Sequence, residues 1–356
     1  MTRDYRIATI PGDGIGREVV PAAASVLDRA GALFGFEIEW TEFDWSCAYY
    51  AEHGCMMPAD GLDLLRDFDQ IFLGAVGSPE VPDDVSLWGL LIPIRRAFQQ
   101  YINLRPVTLL PGMTSPLRKD IAESIDFLVV RENNEGEYSE IGGRLYRGTP
   151  QEIAVQEAVF TRIGVERVMR YAFALAKSRR KNVASATKSN GIIHTMPFWD
   201  EVFRDISIEH PDVETSQHHI DALAAKFVLA PAQFDVVVAS NLFGDILTDI
   251  GAAIIGSIGI GASGNINPEG DFPSMFESVH GSAPDIAGLG IANPLGQVWA
   301  GSMMLDHMGE ATAAAAVKEA MSRTLLSDIR TPDLGGDATT ADVTQSLITT
   351  LEEVAR

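Results

Sequence analysis

Residues 234–251 read FDVVVASNLFGDILTDIG, an apolar, β-branched run that passes directly into residues spaced as on a helix. The run FDVVVA suits a strand buried on both faces. Leu242, Ile246, Leu247 and Ile250 then recur at helical spacing, with Asn241 placed as N-cap. A strand feeding a helix is the repeating unit of parallel α/β architecture, and the same alternation extends outward in both directions. Strand-like runs occur at 5–10, 36–41, 70–75, 125–131 and 182–187, with helical patterns from about 17 to 34 and near 162–177. A largely parallel sheet covered by helices is therefore predicted. Two stretches interrupt it. Residues 133–152, polar and turn-rich with a Gly-Gly pair, read as a hairpin or arm, and 256–270, GSIGIGASGNINPEG, as an ordered loop. From Leu295 onward the chain reads as helical.

The chain has 356 residues and a formal net charge of -22, with 46% hydrophobic content. Such a charge opposes binding to nucleic acid or to an anionic membrane. An anionic ligand would need local cations to offset the same field. Two cysteines, Cys47 and Cys55, fit neither a disulfide framework nor a metal spacing, and no signal peptide or long apolar run is visible, so a cytoplasmic location is expected.

The candidate chemistry is acidic and basic. Asp245 and Asp249 lie four apart on one helix face, where like charges cost roughly 0.2–0.5 kcal/mol. Their surroundings are apolar or small, which predicts a buried helix whose carboxylates need a counter-ion. Paired carboxylates on a rigid element suit a hard divalent cation; a solvated acidic face is the plain alternative. Asp221 opens another helical segment, and its neighbours His218 and His219 read as structural. Arg95 ends a helical stretch, Arg105 sits on the extended residue before Pro106, and Arg131 follows the strand DFLVV; guanidiniums suit bidentate carboxylate recognition. Lys188 stands where a strand meets a turn.

The motifs IPGDGIG (10–16), IRRAFQQYINLRP, RENNEGEY, ATKSN, NLFGDILTD and ESVHGSAPDIAGLGIANP succeed one another along nearly the whole chain. In that order they resemble the β-decarboxylating dehydrogenases, the family of isocitrate, 3-isopropylmalate, tartrate and D-malate dehydrogenases. The resemblance implies an isopropylmalate/isocitrate dehydrogenase-like fold: two α/β domains with a central mixed sheet, a non-Rossmann NAD site and a dimerisation arm. The cofactor domain would comprise 1–104 plus 256–356, and the substrate, metal and dimerisation domain 105–255, with its arm at about 133–152.

The resemblance further implies that Arg95, Arg105 and Arg131 hold substrate carboxylates, with Trp88 and Leu91 near them. Asp221, Asp245 and Asp249 would ligate Mn2+ or Mg2+, with K+ as a candidate further cation. Tyr138 and Lys188 would be the acid/base pair, joined by Asp221. Lys188 and Asp221 would come from the second subunit of a homodimer whose active site is shared across the interface. NAD would be met by Ile15, by His280, Gly281, Ser282, Ala283, Pro284, Asp285 and Ile286, and by Asn293. Asp285 is the ribose reader, since a carboxylate accepts from a ribose diol and repels a 2′-phosphate. The early IPGDGIG lacks a G-x-G-x-x-G register, and Glu37, Glu39 and Glu42 fit strand alternation better than ribose binding. It marks the edge of the site.

Within the family, the segment before Arg95 distinguishes substrates. The Ser and Asn that would meet a third carboxylate are replaced by Gly89 and Leu91, which argues against isocitrate. Leu90 and Leu91 keep 3-isopropylmalate as the alternative. The Gly89 to Arg95 spacing, however, is one residue longer than in the isopropylmalate pattern, and SLWG with RENNEGEY resembles the tartrate and D-malate enzymes most. The small dicarboxylates of that subgroup are the expected substrates. A catalytically silent regulatory subunit would lack acid/base and metal residues that are present here.

Overall fold

The computed structural model describes residues 3–356. They form two compact units, one from residues through Gln100, Thr108–Arg118 and Ala252–Arg356, the other from Tyr101–Val107 and Lys119–Gly251. The segment Thr108–Arg118, placed in the middle domain by the sequence, packs with the unit built from both chain ends: Ser115 Oγ donates to Ile254 O at 2.5 Å.

In the first unit the strands lie in the order Phe36–Glu42, Arg3–Gly12, Gln70–Ala75, Ser274–Ser278 and Ala262–Ile266. The first four are mutually parallel and the last is antiparallel to its neighbour, so the sheet is mixed. Helix Gly16–Phe34 buries Val19, Val20, Ala23, Val26, Leu27 and Ala30, one apolar stripe at helical spacing, and ends on left-handed Gly35. Residues 256–270 depart from expectation. Ala262–Ile266, ASGNI, is a fully buried strand rather than loop. Its small and polar residues carry no strand signature, and its order comes from pairing with Ser274–Ser278.

The second unit orders its strands Ile102–Thr108, Asp126–Glu132, Val236–Ala239, Asn182–Thr187 and Glu214–His219. The pairings of Val236–Ala239 with both neighbours, and of Asn182–Thr187 with Glu214–His219, are parallel. Val236, Val237, Val238 and Ala239 are wholly buried, as their unbroken apolar run requires. Helix Arg162–Lys177 is capped by Thr161 and buries Val165, Val168, Met169, Ala172 and Phe173. The arm is an antiparallel ribbon, Gly142–Leu145 against Ile153–Gln156, and so runs beyond residue 152. Its residues Ile141, Leu145, Tyr146, Ile153 and Val155 are exposed. No helix among the described residues is long and apolar enough to cross a membrane.

Where Asp126–Glu132 leads toward the arm, Glu132 is fully buried. Its carboxyl oxygens accept from Asn134 N at 3.0 Å and Glu135 N at 2.8 Å. Burial outweighs those bonds and raises its pKa to about 7. The folded chain then holds this proton more tightly than the unfolded one. The contribution to stability is complete below the ordinary carboxyl range and is lost as pH rises through about 7. Glu132→Gln, always neutral, should lose less stability than the parent in denaturant titrations between about pH 5 and 8. Equal losses would remove Glu132 as the source.

Candidate active site

Within the second unit the sequence candidates converge on Asp245. Helix Asn241–Ile254 carries it one turn from the end of Val236–Ala239. Arg131 Nη1 pairs with Asp245 Oδ1, while its Nε and Nη2 donate to Asn241 Oδ1 at 3.1 and 2.6 Å. Arg105 Nη2 lies 3.5 Å from Asp245 Oδ1, and its Nη1 donates to Thr248 Oγ1 at 2.6 Å. Tyr138 OH donates to Asp245 Oδ2 at 3.2 Å, and its ring lies under the Arg131 guanidinium at 5.5 Å. Arg131, at 4% exposure, is buried. Glycine at 244 is required here, because a Cβ would stand 2.6 Å from Arg131 Cβ and Cγ.

Two expectations about this helix need correction. Asn241 does not serve as a side-chain cap; its carbonyl oxygen is taken by Arg131 and its amide donates to Glu135 O at 3.2 Å. Nor is the helix buried all round. Leu242, Ile246 at 48% exposure and Asp249 face outward in the single chain. Partial burial of its carboxyl group and the neighbouring Asp245 charge raise the Asp249 pKa, against the pull of Arg105 and Arg131. A divalent cation held by Asp245 and Asp249 would relieve that repulsion, and all-oxygen donors fit Mn2+ or Mg2+.

Asp221, at the start of helix Ile220–Leu229, belongs to a separate group. Lys188 Nζ contacts its Oδ1 at 2.6 Å, and this bond is the main cause of the lowered Asp221 pKa. Among the described residues of one chain, no three His, Cys, Asp or Glu side chains gather into a metal-holding group. Asp221 therefore does not complete a cluster with Asp245 and Asp249 within this chain. His218 is structural: it contacts Ser216 and Lys226 and packs against Phe234.

In the first unit, Arg95 closes helix Ile92–Ala97 and is buried. Its Nη2 donates to Glu277 Oε1 at 3.1 Å, while its Nε, also buried, has no partner. Glu277, a partner that its neutral setting in ESVHGS concealed, also accepts from Asn265 Nδ2 at 2.6 Å. Preceding this helix, Leu87–Leu91 forms one turn of π-helix, closed by Ile92 N donating to Leu87 O. A π-turn takes up one residue more than an α-turn, so it changes the facing of the residues before it relative to Arg95. Eight residues apart on a regular helix, Trp88 and Arg96 would be rotated by about 80°; with one residue taken up, they differ by only about 20°. The Arg96 guanidinium accordingly lies over the Trp88 ring at 5.1 Å. Leu90 is wholly buried in its own unit's core, leaving Leu91 half-buried beside Arg95's helix.

The same unit brings the glycine turn to the HGSAPDI segment. Ile15 N donates to Ser282 O at 2.9 Å. Gly14 has φ +52°, and a Cβ there would lie 2.0 Å from that same carbonyl oxygen. Ile15, Val19 and Ala292 form a small core against which Ala283 and Ile286 pack. Glu18 fixes the adjoining loop by accepting from Gly288 N and Gly290 N at 2.6 and 3.0 Å. Gly281, Pro284 and Asp285 are exposed. Asn293 Nδ2 donates to Asp333 at 2.9 Å. Burial lowers the His280 pKa, keeping the ring neutral, and its buried Nε2 has no partner, as a residue awaiting a polar ligand would.

The sequence pattern of isocitrate/isopropylmalate dehydrogenase matches residues 6–348. The chain belongs to that family. It is 56% identical to the Bacillus subtilis (strain 168) protein named "Probable tartrate dehydrogenase/decarboxylase", covering 99% of each chain. It is 52% identical to the Escherichia coli (strain K12) "D-malate dehydrogenase [decarboxylating]", covering 98% of each. Among solved structures, the isocitrate dehydrogenase of Methylococcus capsulatus superposes with a TM-score of 0.88 at 34% identity, over 98% of this chain and 99% of that one. The α/β architecture with a mixed sheet is that of the family.

The buried Arg95–Glu277 pair offers a direct measurement. Removing one partner of a buried pair strands the other charge, at a cost of about 3–5 kcal/mol. Glu277→Leu should destabilise on that scale, and adding Arg95→Met should recover most of the loss; a fully additive double variant would show that the pair is not coupled.

Proposed function

We propose that this chain is a metal-dependent NAD oxidoreductase acting on C4 2-hydroxy diacids. It would dehydrogenate tartrate to oxaloglycolate and convert D-malate to pyruvate and CO2. The observation that carries the chemistry is the Asp245 cluster, in which two guanidiniums, a tyrosine hydroxyl and a carboxylate meet on one helix. The choice of substrate is supported by the likeness to relatives named for tartrate and D-malate. The burial of Leu90 also weighs against 3-isopropylmalate, since it removes one of two side chains that would line an isopropyl pocket.

In this reading Arg95, Arg105 and Arg131 bind the substrate's carboxylates, offsetting the repulsion that a net charge of -22 imposes on any dianion. Arg95's unpartnered Nε is suited to that role. Trp88, held by Arg96, and Leu91 limit what C3 can carry. Asp221, Asp245 and Asp249 are the carboxylates for Mn2+ or Mg2+. The cation, when bound, would supply Lewis acidity at the substrate's 2-oxygen, and NAD the hydride acceptor for C2. Lys188 in its neutral amine form takes the hydroxyl proton, with its Nζ oriented by the hydrogen bond to Asp221. The resulting 2-keto acid carries a carboxylate β to the ketone, and after CO2 departs Tyr138 delivers a proton to the carbon left behind. Asp285 reads the ribose diol of NAD, with His280, the 281–286 segment, Ile15 and Asn293 around it.

The separation of Lys188 and Asp221 from the Asp245 cluster within one chain supports a homodimer in which each subunit lends this pair to the other. The exposed arm and the exposed Leu242 and Ile246 supply apolar surface for such contact.

NADH production with Mn2+ on D-malate, L-tartrate, meso-tartrate and 3-isopropylmalate tests the reading; D-malate or a tartrate should dominate, and a dominant rate on 3-isopropylmalate would overturn it. Asp245→Asn should abolish metal-dependent turnover and, by leaving Arg105 and Arg131 without their anion, lower the melting temperature; retained turnover would exclude Asp245 as ligand. Asp285→Ala should raise KM for NAD more than for the diacid, and an unchanged NAD KM would dismiss its ribose role.

A further inference from the structure

The motif RENNEGEY contains three glutamates to which neither binding nor proton transfer assigns a task. Each is tethered. Glu132 accepts from Asn134 N and Glu135 N. Glu135 accepts from Thr161 N and Thr161 Oγ1 at 2.8 and 2.7 Å, holding the segment to the start of helix Arg162–Lys177. Glu137 differs from both, because its partners are Leu242 in the first turn of the helix that bears Asp245 and Ser240 immediately before that helix. Its Oε1 accepts from Ser240 Oγ at 2.9 Å, and its Oε2 accepts from Leu242 N at 3.1 Å.

We propose that Glu137 is the positioning residue for Tyr138, fixing the proton donor against Asp245 by capping helix Asn241–Ile254 from outside the helix. This rests on the reading of Tyr138 as proton donor. The first turn of any helix leaves backbone N–H groups unsatisfied and carries partial positive charge. Asn241 cannot meet that need, since its oxygen is committed to Arg131 and its amide to Glu135 O. Glu137 meets it instead. Consecutive residues are thereby anchored one turn apart on a single rigid element, Glu137 at Ser240 and Leu242 and Tyr138 at Asp245.

The exposed arm makes such an anchor necessary. Tyr138 stands just before a two-stranded ribbon, and such a ribbon takes its order from what it packs on rather than from itself. Without a fixed point between ribbon and hydroxyl, motion of the ribbon would reach the Tyr138–Asp245 contact. A displacement of about 1 Å at a reacting group can cost 100-fold in rate. Glu137 supplies that fixed point through a charged acceptor with two oxygens, each with its own donor.

Glu137→Gln is the test, since the amide retains the size but has one acceptor oxygen for two donors. In the dimeric enzyme with NAD and Mn2+, kcat for D-malate decarboxylation should fall about tenfold, within the range attributable to one general acid. KM for D-malate and NAD should stay within about twofold, because neither is touched. The solvent isotope effect on kcat should rise as proton delivery becomes limiting. In a Tyr138→Phe background, Glu137→Gln should add almost nothing to the loss. Should Glu137→Gln fail to fold, Ser240→Ala removes one of the two tethers without a change of charge, with the same kcat and isotope signature expected at smaller amplitude. If Tyr138→Phe retains full kcat, the donor reading itself fails. If Tyr138→Phe is impaired while Glu137→Gln keeps its kcat, or its effect is fully additive, the positioning role is overturned and the donor reading stands.

Discussion

Two buried guanidiniums sharing one carboxylate dominate the middle of this chain. Arg105 and Arg131 could not be removed from water without an anion, and Asp245 is that anion for both. Its position is set by geometry: it lies one turn into a helix that starts where a wholly buried strand ends. Thr248 and Asn241, on the same helix, accept from Arg105 Nη1 and from Arg131 Nε and Nη2. The requirement for glycine at 244, the commitment of Asn241 away from capping and the recruitment of Glu137 all stem from placing Arg131 against this helix.

Much of the fold was legible because buried parallel strands advertise themselves. The runs VVVA and NVASAT are β-branched or small and bounded by turns, and helix Arg162–Lys177 combines an N-cap threonine with a clean apolar stripe. Ala262–Ile266 was not legible, since ASGNI has no alternation, and its order is tertiary. The arm's first half showed in its glycines and charges, whereas Ile153–Gln156 looks like any short strand until it pairs.

The site divides similarly. Residue types in ordered motifs pointed to the arginines, the aspartates, Tyr138 and Lys188. Their partners were hidden by distance along the chain. Glu277 lies 182 positions from Arg95, and Ser240 lies 103 from Glu137. Apolar helix positions misled for a different reason: Leu242 and Ile246 have core spacing, yet a single protomer leaves them in solvent. Periodicity reports that a face is apolar, but not whether the chain covers it.

The π-turn at Leu87–Leu91 has an evolutionary side. Inserting a residue into a regular helix swings every side chain before it by about 100° relative to those after it. Here the wider turn is confined to Leu87–Leu91: Arg95, on the regular helix after it, bonds Glu277, while Trp88, within it, lies beneath Arg96. A turn of this kind lets selection re-aim the side chains before it while leaving those after it in place. A one-codon change in length can therefore do what several coordinated substitutions would otherwise be needed to achieve.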